Sequence, residues 1–298
     1  MTVVFKNVAI LMLFAVIGFV LAKFKKVDSK STKFLSTLVV FVFLPATTFK
    51  SFATNFTVQY IKEKYDILIV SAIGTTVIAT FGFFLTKLLT KDKYRRSVYT
   101  YSLTVPNTGY MGLPLVQAIF PAEVLNFLLF ILPINIYLYS IGYCSLIKAK
   151  LSFKKLINPP LIAIALGAIF GLSGLALPDF ATDFLSTASA PMGPCTMLIL
   201  GMTLSEYRFG KLLKNPMNYV ISFLRLFVIP AAMFFVLNLL GIKNAILPAL
   251  VAYSMPCGLN TVVFPKLVDE DCETGAALAL ISTAFSMVSI PIMLHFFL

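Results

Sequence analysis

About ten apolar runs follow one another along this chain, with no interval long enough for a folded soluble domain. They cover residues 3–22, 34–54, 66–89, 97–120, 124–147, 156–178, 184–204, 216–240, 245–268 and 274–298. Most are near the roughly 20 residues that a helix needs to cross the hydrocarbon core of a bilayer. Only 12% of the residues are charged and 59% are hydrophobic. A soluble fold, with about 25% charged residues, covers itself with polar surface that this chain does not possess. Inside lipid each backbone N–H and C=O needs an internal partner, so the predicted fold class is all-α integral membrane.

The formal charge is +12, but the bases form no continuous stripe of the kind that binds nucleic acid. They fall in clusters between runs. Lys23, Lys25, Lys26, Lys30 and Lys33 follow the first run, and Lys87, Lys91, Lys93, Arg95 and Arg96 follow the third. Lys148, Lys150, Lys154 and Lys155 follow the fifth, Arg208, Lys211 and Lys214 the seventh, and Lys266 the ninth. The alternate loops and their margins hold only Lys50, Lys62, Lys64 and Lys243. Positive charge marks the cytoplasmic side. A multi-pass protein of the cell membrane is therefore expected, with both termini outside. Residues 8–22 read as its first span and not as a signal peptide, because the basic cluster follows the apolar stretch.

Cys144, Cys195, Cys257 and Cys272 are scattered without metal or disulfide spacing, and the single His295 cannot build a histidine cluster. No cofactor is expected.

Internal repetition is next. Phe34-Leu35-Ser36-Thr37 opens the second run and Phe184-Leu185-Ser186-Thr187 opens the seventh; Pro106 in the fourth run has its counterpart in Pro256 in the ninth. Both pairs are offset by 150 residues, which divides the chain into repeats at 1–150 and 151–298. Five spans per half force the second half to insert upside down relative to the first.

The fourth run reads Thr104-Val105-Pro106-Asn107-Thr108-Gly109-Tyr110-Met111-Gly112-Leu113-Pro114, and the ninth Ser254-Met255-Pro256-Cys257-Gly258-Leu259-Asn260-Thr261. Proline and glycine in mid-span interrupt the hydrogen-bond ladder. Freed backbone groups cost several kcal/mol each in hydrocarbon unless they meet protein, water or a ligand. Interruptions at corresponding places in two halves point to a midplane binding site. Pro106, Asn107, Thr108, Gly109, Pro256, Cys257, Gly258, Asn260 and Thr261 are its candidate residues. Two half-helix N-termini meeting there, with free N–H groups, favour an anion. A purely structural kink is the competing account.

With these motifs the chain resembles the auxin efflux carrier family, which includes plant carriers and bacterial malate- and malonate-type permeases. The likeness covers the whole chain and is most specific over Pro106–Pro114. It implies a scaffold group and a moving transport group of helices, with the fourth and ninth helices crossing at their prolines beside the substrate. Cys257 stands where plant carriers have asparagine, and the long cytoplasmic loop of many plant members is absent. These two departures from the plant pattern put auxin in doubt as the substrate and suggest a bacterial member.

Arg225 lies inside the eighth run, about 13 Å from its cytoplasmic edge at 1.5 Å per residue. Such a charge is a candidate for substrate contact or gating; snorkelling to the inner interface, or pairing with a helix C-terminus, is the structural account. Pro45, Pro191, Gly193 and Pro194 either line the same cavity or serve helix packing. Asp66, Glu123, Asp183, Glu206 and Glu273 lie at span edges and no carboxylate lies at a span centre. That pattern argues against a buried proton relay and weakens a carboxylate-built sodium site, although backbone carbonyls, Asn and Thr could still hold sodium. An intramembrane enzyme needs a catalytic constellation that the span interiors do not contain. The expected function is a secondary carrier of a small organic anion, such as a carboxylate, working by alternating access. A sodium-coupled organic-anion symporter of the bile-acid type is the nearest rival, and a channel is a more distant one. Lipid is the expected surrounding partner, and a second copy of the chain is compatible with the composition.

Overall fold

The computed structural model describes residues 2–148, 157–206, 210, 213–266 and 272–297. Every regular element among them is helical. Among the described residues seven helices are long and apolar enough to cross a membrane: Phe5–Lys23, Lys30–Asn55, Val58–Leu89, Pro121–Ile147, Asp179–Ser205, Pro216–Leu239 and Glu273–Phe297. Pro159–Leu172 is apolar but shorter. Two further apolar stretches are interrupted. Helix Lys93–Thr104 stops and helical structure resumes at Thr108–Gly112 and Leu113–Ile119; Ile246–Ser254 stops and Asn260–Lys266 resumes. Of the basic clusters used for orientation, Lys150, Lys154, Lys155, Arg208 and Lys211 lie outside the described residues, as does the boundary between the two halves.

Local sequence explains where helices begin. Thr57 accepts from the Tyr60 N–H at 3.1 Å to open Val58–Leu89, and Asp92 accepts from Tyr94 and Arg95 at 2.8 and 3.1 Å to open Lys93–Thr104. Asn158 and Asn215 cap the two helices that start with proline, where a missing N–H costs nothing. Asp28 caps Ser29–Leu38, and the Ser31 backbone N–H holds its carboxyl below the usual carboxylate range.

Which face meets lipid is clearest in Val58–Leu89. Ile69, Ile73, Val77, Phe84 and Leu88 form one exposed stripe, while Ile67, Ser71, Gly74, Thr75, Ile78, Gly82 and Thr86 are buried on the other side. The buried side is the smaller and more polar one, the reverse of a soluble helix. Lipid is as apolar as leucine, so association relies on close packing of small residues.

Two helix pairs show this. Thr2–Lys23 packs along Met192–Ser205, with the backbone of Gly201 against Ala15 and that of Gly18 against Leu198. Leu44–Asn55 packs along Pro159–Leu172, where Gly167 and Gly171 lie against the backbone of Phe49, Phe52 and Phe56. Val58–Leu89 in turn contacts Lys93–Thr104 and Val124–Tyr137, and Pro216–Phe223 contacts Glu273–Phe297.

Candidate functional site

The two interruptions meet. Pro106 and Pro256 have no N–H to donate, so each helix loses a rung of its ladder at these positions. The extended segments cross antiparallel, with Pro106 paired to Cys257. Asn107 N–H donates to Pro256 O at 2.8 Å, and Gly258 N–H donates to Val105 O at 3.3 Å. A Cβ on Gly258 would lie 3.2 Å from Val105 O, so glycine lets the backbones approach. Thr108 N–H donates to Pro106 O at 2.8 Å and Cys257 N–H to Ser282 Oγ at 3.0 Å. These backbone donors, expected from the sequence to await an anion, are instead satisfied within the crossover or, for Cys257, by helix Glu273–Phe297.

What stays unsatisfied is a side chain. Asn107 is 3% exposed, and its Oδ1 accepts from the Tyr110 N–H at 3.3 Å, capping the resumed helix. That bond fixes the amide orientation and leaves Nδ2, which is buried and has no partner. An unpaired buried donor costs about 1–3 kcal/mol unless something accepts from it.

Asn107 lines a cavity of about 200 Å³ at the crossover. Pro106, Thr108, Gly109, Tyr110, Gly258 and Asn260 line it beside Asn107, with Thr48, Asn135, Tyr139 and Asn158 from other helices. Leu44, Leu113, Leu128, Ile131, Leu161, Ile164 and Phe264 supply an apolar wall. Among the described residues no charged side chain is in the lining. At Gly109 an added Cβ would meet nothing within 4 Å. The sequence alone did not single out Thr48, Asn135, Tyr139 or Asn158. Asn158 before Pro159 and Pro160 is a helix-start signal, and Asn135 is one of two asparagines in the fifth run, with Asn126.

Four candidate residues do not line the cavity. Pro256 gives its carbonyl to Asn107. Cys257 is fully buried within the bridge. Thr261 Oγ1 donates to Gly258 O at 2.9 Å and secures the restart of the second helix. Arg225 is fully buried and donates to the carbonyls of Leu103, Met255 and Ala252 at 2.9, 3.2 and 3.3 Å. Its guanidinium carbon sits 5.2 Å from the centre of the Tyr253 ring. Gly193 belongs to packing, since its Cβ position faces Pro114 and Leu11 at 3.4 and 3.6 Å. Among the described residues no group of His, Cys, Asp and Glu could hold a metal ion.

The cavity is not equally isolated from the two ends of the bundle. Tyr110, Leu259 and Val263 also line a recess of about 970 Å³ that contains Asp28, Lys30 and Lys33. A second recess of about 770 Å³ contains Lys50, Asn55, Tyr60, Lys64 and Glu123, and shares no lining residue with the cavity. Lys30 and Asn55 are opposite ends of one helix, so the recesses lie at opposite ends of the bundle.

Comparison with known proteins agrees with this architecture. A family model described as membrane transport protein matches twice, over residues 3–150 and 143–294. An uncharacterized transporter of Methanocaldococcus jannaschii is 25% identical over 300 residues, covering 95% of each chain. An uncharacterized transporter of Methanothermobacter thermautotrophicus is 24% identical over 298 residues, covering 96% of each. The chain belongs to the membrane transport protein family, that of the auxin efflux carriers which its Pro106–Pro114 motif resembles.

Proposed function

We propose that the protein is a secondary carrier that moves a small organic anion, such as a carboxylate, by alternating access with the substrate in the crossover cavity. The observation that carries the proposal is Asn107, whose amide N–H has no hydrogen-bond partner and which lines a cavity without charged side chains among the described residues. A substrate carboxylate would accept from Nδ2, and Thr108, Tyr110 and Asn260 lie within the same lining. The apolar wall suits a molecule with a hydrocarbon body.

Ten spans in two inverted repeats complete the proposal, the fourth and ninth being interrupted and crossing. Exchange of the halves turns the first span into the sixth and the second into the seventh. The observed pairing of Thr2–Lys23 with Met192–Ser205 then becomes the observed pairing of Leu44–Asn55 with Pro159–Leu172. Each half also carries its own match to the family model. The cavity's shared wall with the Lys30 recess corresponds to access from the cytoplasmic side, if the basic clusters orient the chain as the positive-inside rule requires. Neither comparison supports the sodium-coupled bile-acid-type rival.

A binding screen of the purified parent over mono- and dicarboxylates tests the proposal directly: at least one should bind saturably and compete with its own uptake. Failure of the whole set to bind would defeat it. Orientation has its own test. In a cysteine-free background, single cysteines at position 2 and in the loop at 148–155 should label from opposite sides with an impermeant thiol reagent. Labelling from the same side would remove the inverted-repeat arrangement.

Coupling follows from the absence of carboxylates at the span centres. Flux of a monoanionic substrate into proteoliposomes should respond to an imposed membrane potential without a sodium or proton gradient. A strict requirement for either gradient would overturn this expectation.

A further inference from the structure

Helices Lys93–Thr104 and Ile246–Ser254 both end at the crossover. The last carbonyls of a helix have no partner within it and carry the negative end of its dipole. Two such ends in one water-poor place attract a cation. In carriers with interrupted helices, unwound carbonyls and half-helix C-terminal ends are the groups that coordinate coupling cations. Here the carbonyls of Leu103, Ala252 and Met255 converge, and the face of Tyr253 borders them. Ser254, in the last turn of the second helix, holds a buried hydroxyl without a hydrogen-bond partner. Oxygens and a π face are the donors a small cation would choose.

The place is filled by the chain itself. Arg225 donates from Nε, Nη1 and Nη2, one to each carbonyl, and among the described residues no carboxylate pairs with it. Its partners are 27 to 122 residues away in sequence, and they belong to both interrupted helices. A charge buried this deeply persists only if its surroundings compensate it. The helix ends do so. We propose that Arg225 is a tethered cation: its guanidinium occupies the crossover's cation site, neutralises both helix C-termini and removes the need for a dissociable sodium ion or proton. Arg225 is thus a positioning residue for the cavity formed by the same two segments, and this role rests on the reading of that cavity as the substrate site.

Removing the side chain should recreate a site for free cations. Arg225→Ala, purified in detergent, should melt below the parent. Millimolar guanidinium should raise its melting temperature by several degrees, with sodium acting more weakly. N-methylglucamine at the same ionic strength should do nothing, and the parent should respond to none of the three. In proteoliposomes the variant's uptake should fall about tenfold or more and recover in part with guanidinium. A variant without cation-specific stabilisation overturns the proposal. If Arg225→Ala does not survive extraction, Arg225→Lys and Arg225→Met decide it. Retained charge predicts a lysine variant close to the parent and a methionine variant well below it, and equal stability of the two overturns it. The melting experiment contains no substrate. A parent that binds no carboxylate would defeat the proposed function and leave the cation test standing.

Discussion

Gly201→Val is expected to abolish assembly of the bundle. A Cβ at Gly201 would lie 1.8 Å from the carbonyl oxygen of Ala15, and one at Gly18 2.3 Å from that of Leu198. These neighbours are backbone, so no rotamer change relieves the clash. The two helices would have to separate along the face where they touch most extensively. Small-residue contact is what holds helices together in lipid, where burying apolar surface against protein gains little over lipid itself. Overpacking a tight interface costs about 1–3 kcal/mol even where side chains can yield, and here they cannot. Gly201→Val should therefore elute as aggregate in fluorescence-detected size exclusion, or melt far below the parent. Gly109→Ala is the matched contrast, because its Cβ enters open space. It should fold like the parent. A Gly201→Val protein that is monodisperse and melts within about two degrees of the parent would show that the helix contact is not close.

That contact was not legible in the sequence, and the reason is physical. In a helix that is apolar nearly all round, hydrophobic periodicity does not say which face meets lipid and which meets protein. Gly18 and Gly201 carry no mark that separates them from Gly174, which borders open space. The interruptions were legible, because Pro106 and Pro256 act on the backbone and need no partner to do so. Their meeting was foreshadowed by the offset of 150 residues and the odd number of runs per half. How the crossover satisfies itself was not foreshadowed. Asn107 N–H finds Pro256 O and Cys257 N–H finds Ser282 Oγ through pairings that only the fold creates. Arg225 could be recognised as unusual from its depth alone, yet both its readings stayed open until its three carbonyl partners were in view. Asn135 and Thr48 escaped notice because single polar residues within a span also satisfy themselves locally. Thr48 does bond back to Leu44 O and Pro45 O, while still bordering the cavity.

Asn107→Ala is expected to weaken carboxylate binding by roughly 5- to 150-fold, the equivalent of about 1–3 kcal/mol for one buried polar contact. The side chain has two tasks. Oδ1 caps the helix that resumes at Thr108, and Nδ2 is the donor left without a partner at the cavity. Alanine removes both, with a capping loss of about 1 kcal/mol that should appear as a lower melting temperature. Asn107→Ser separates them, because serine is an equally good cap but lacks the amide donor. Binding should fall in both variants, whereas stability should fall mainly in the alanine variant. Leu13→Ala, at a position 61% exposed on the lipid-facing surface, serves as the control and should change neither. Binding by calorimetry, uptake into proteoliposomes and melting temperature, measured on monodisperse protein, distinguish these outcomes. Should the serine variant bind and transport like the parent, Nδ2 makes no contact with the substrate. The cavity at the crossover would then have to be recognised through Thr108, Tyr110 and Asn260 instead.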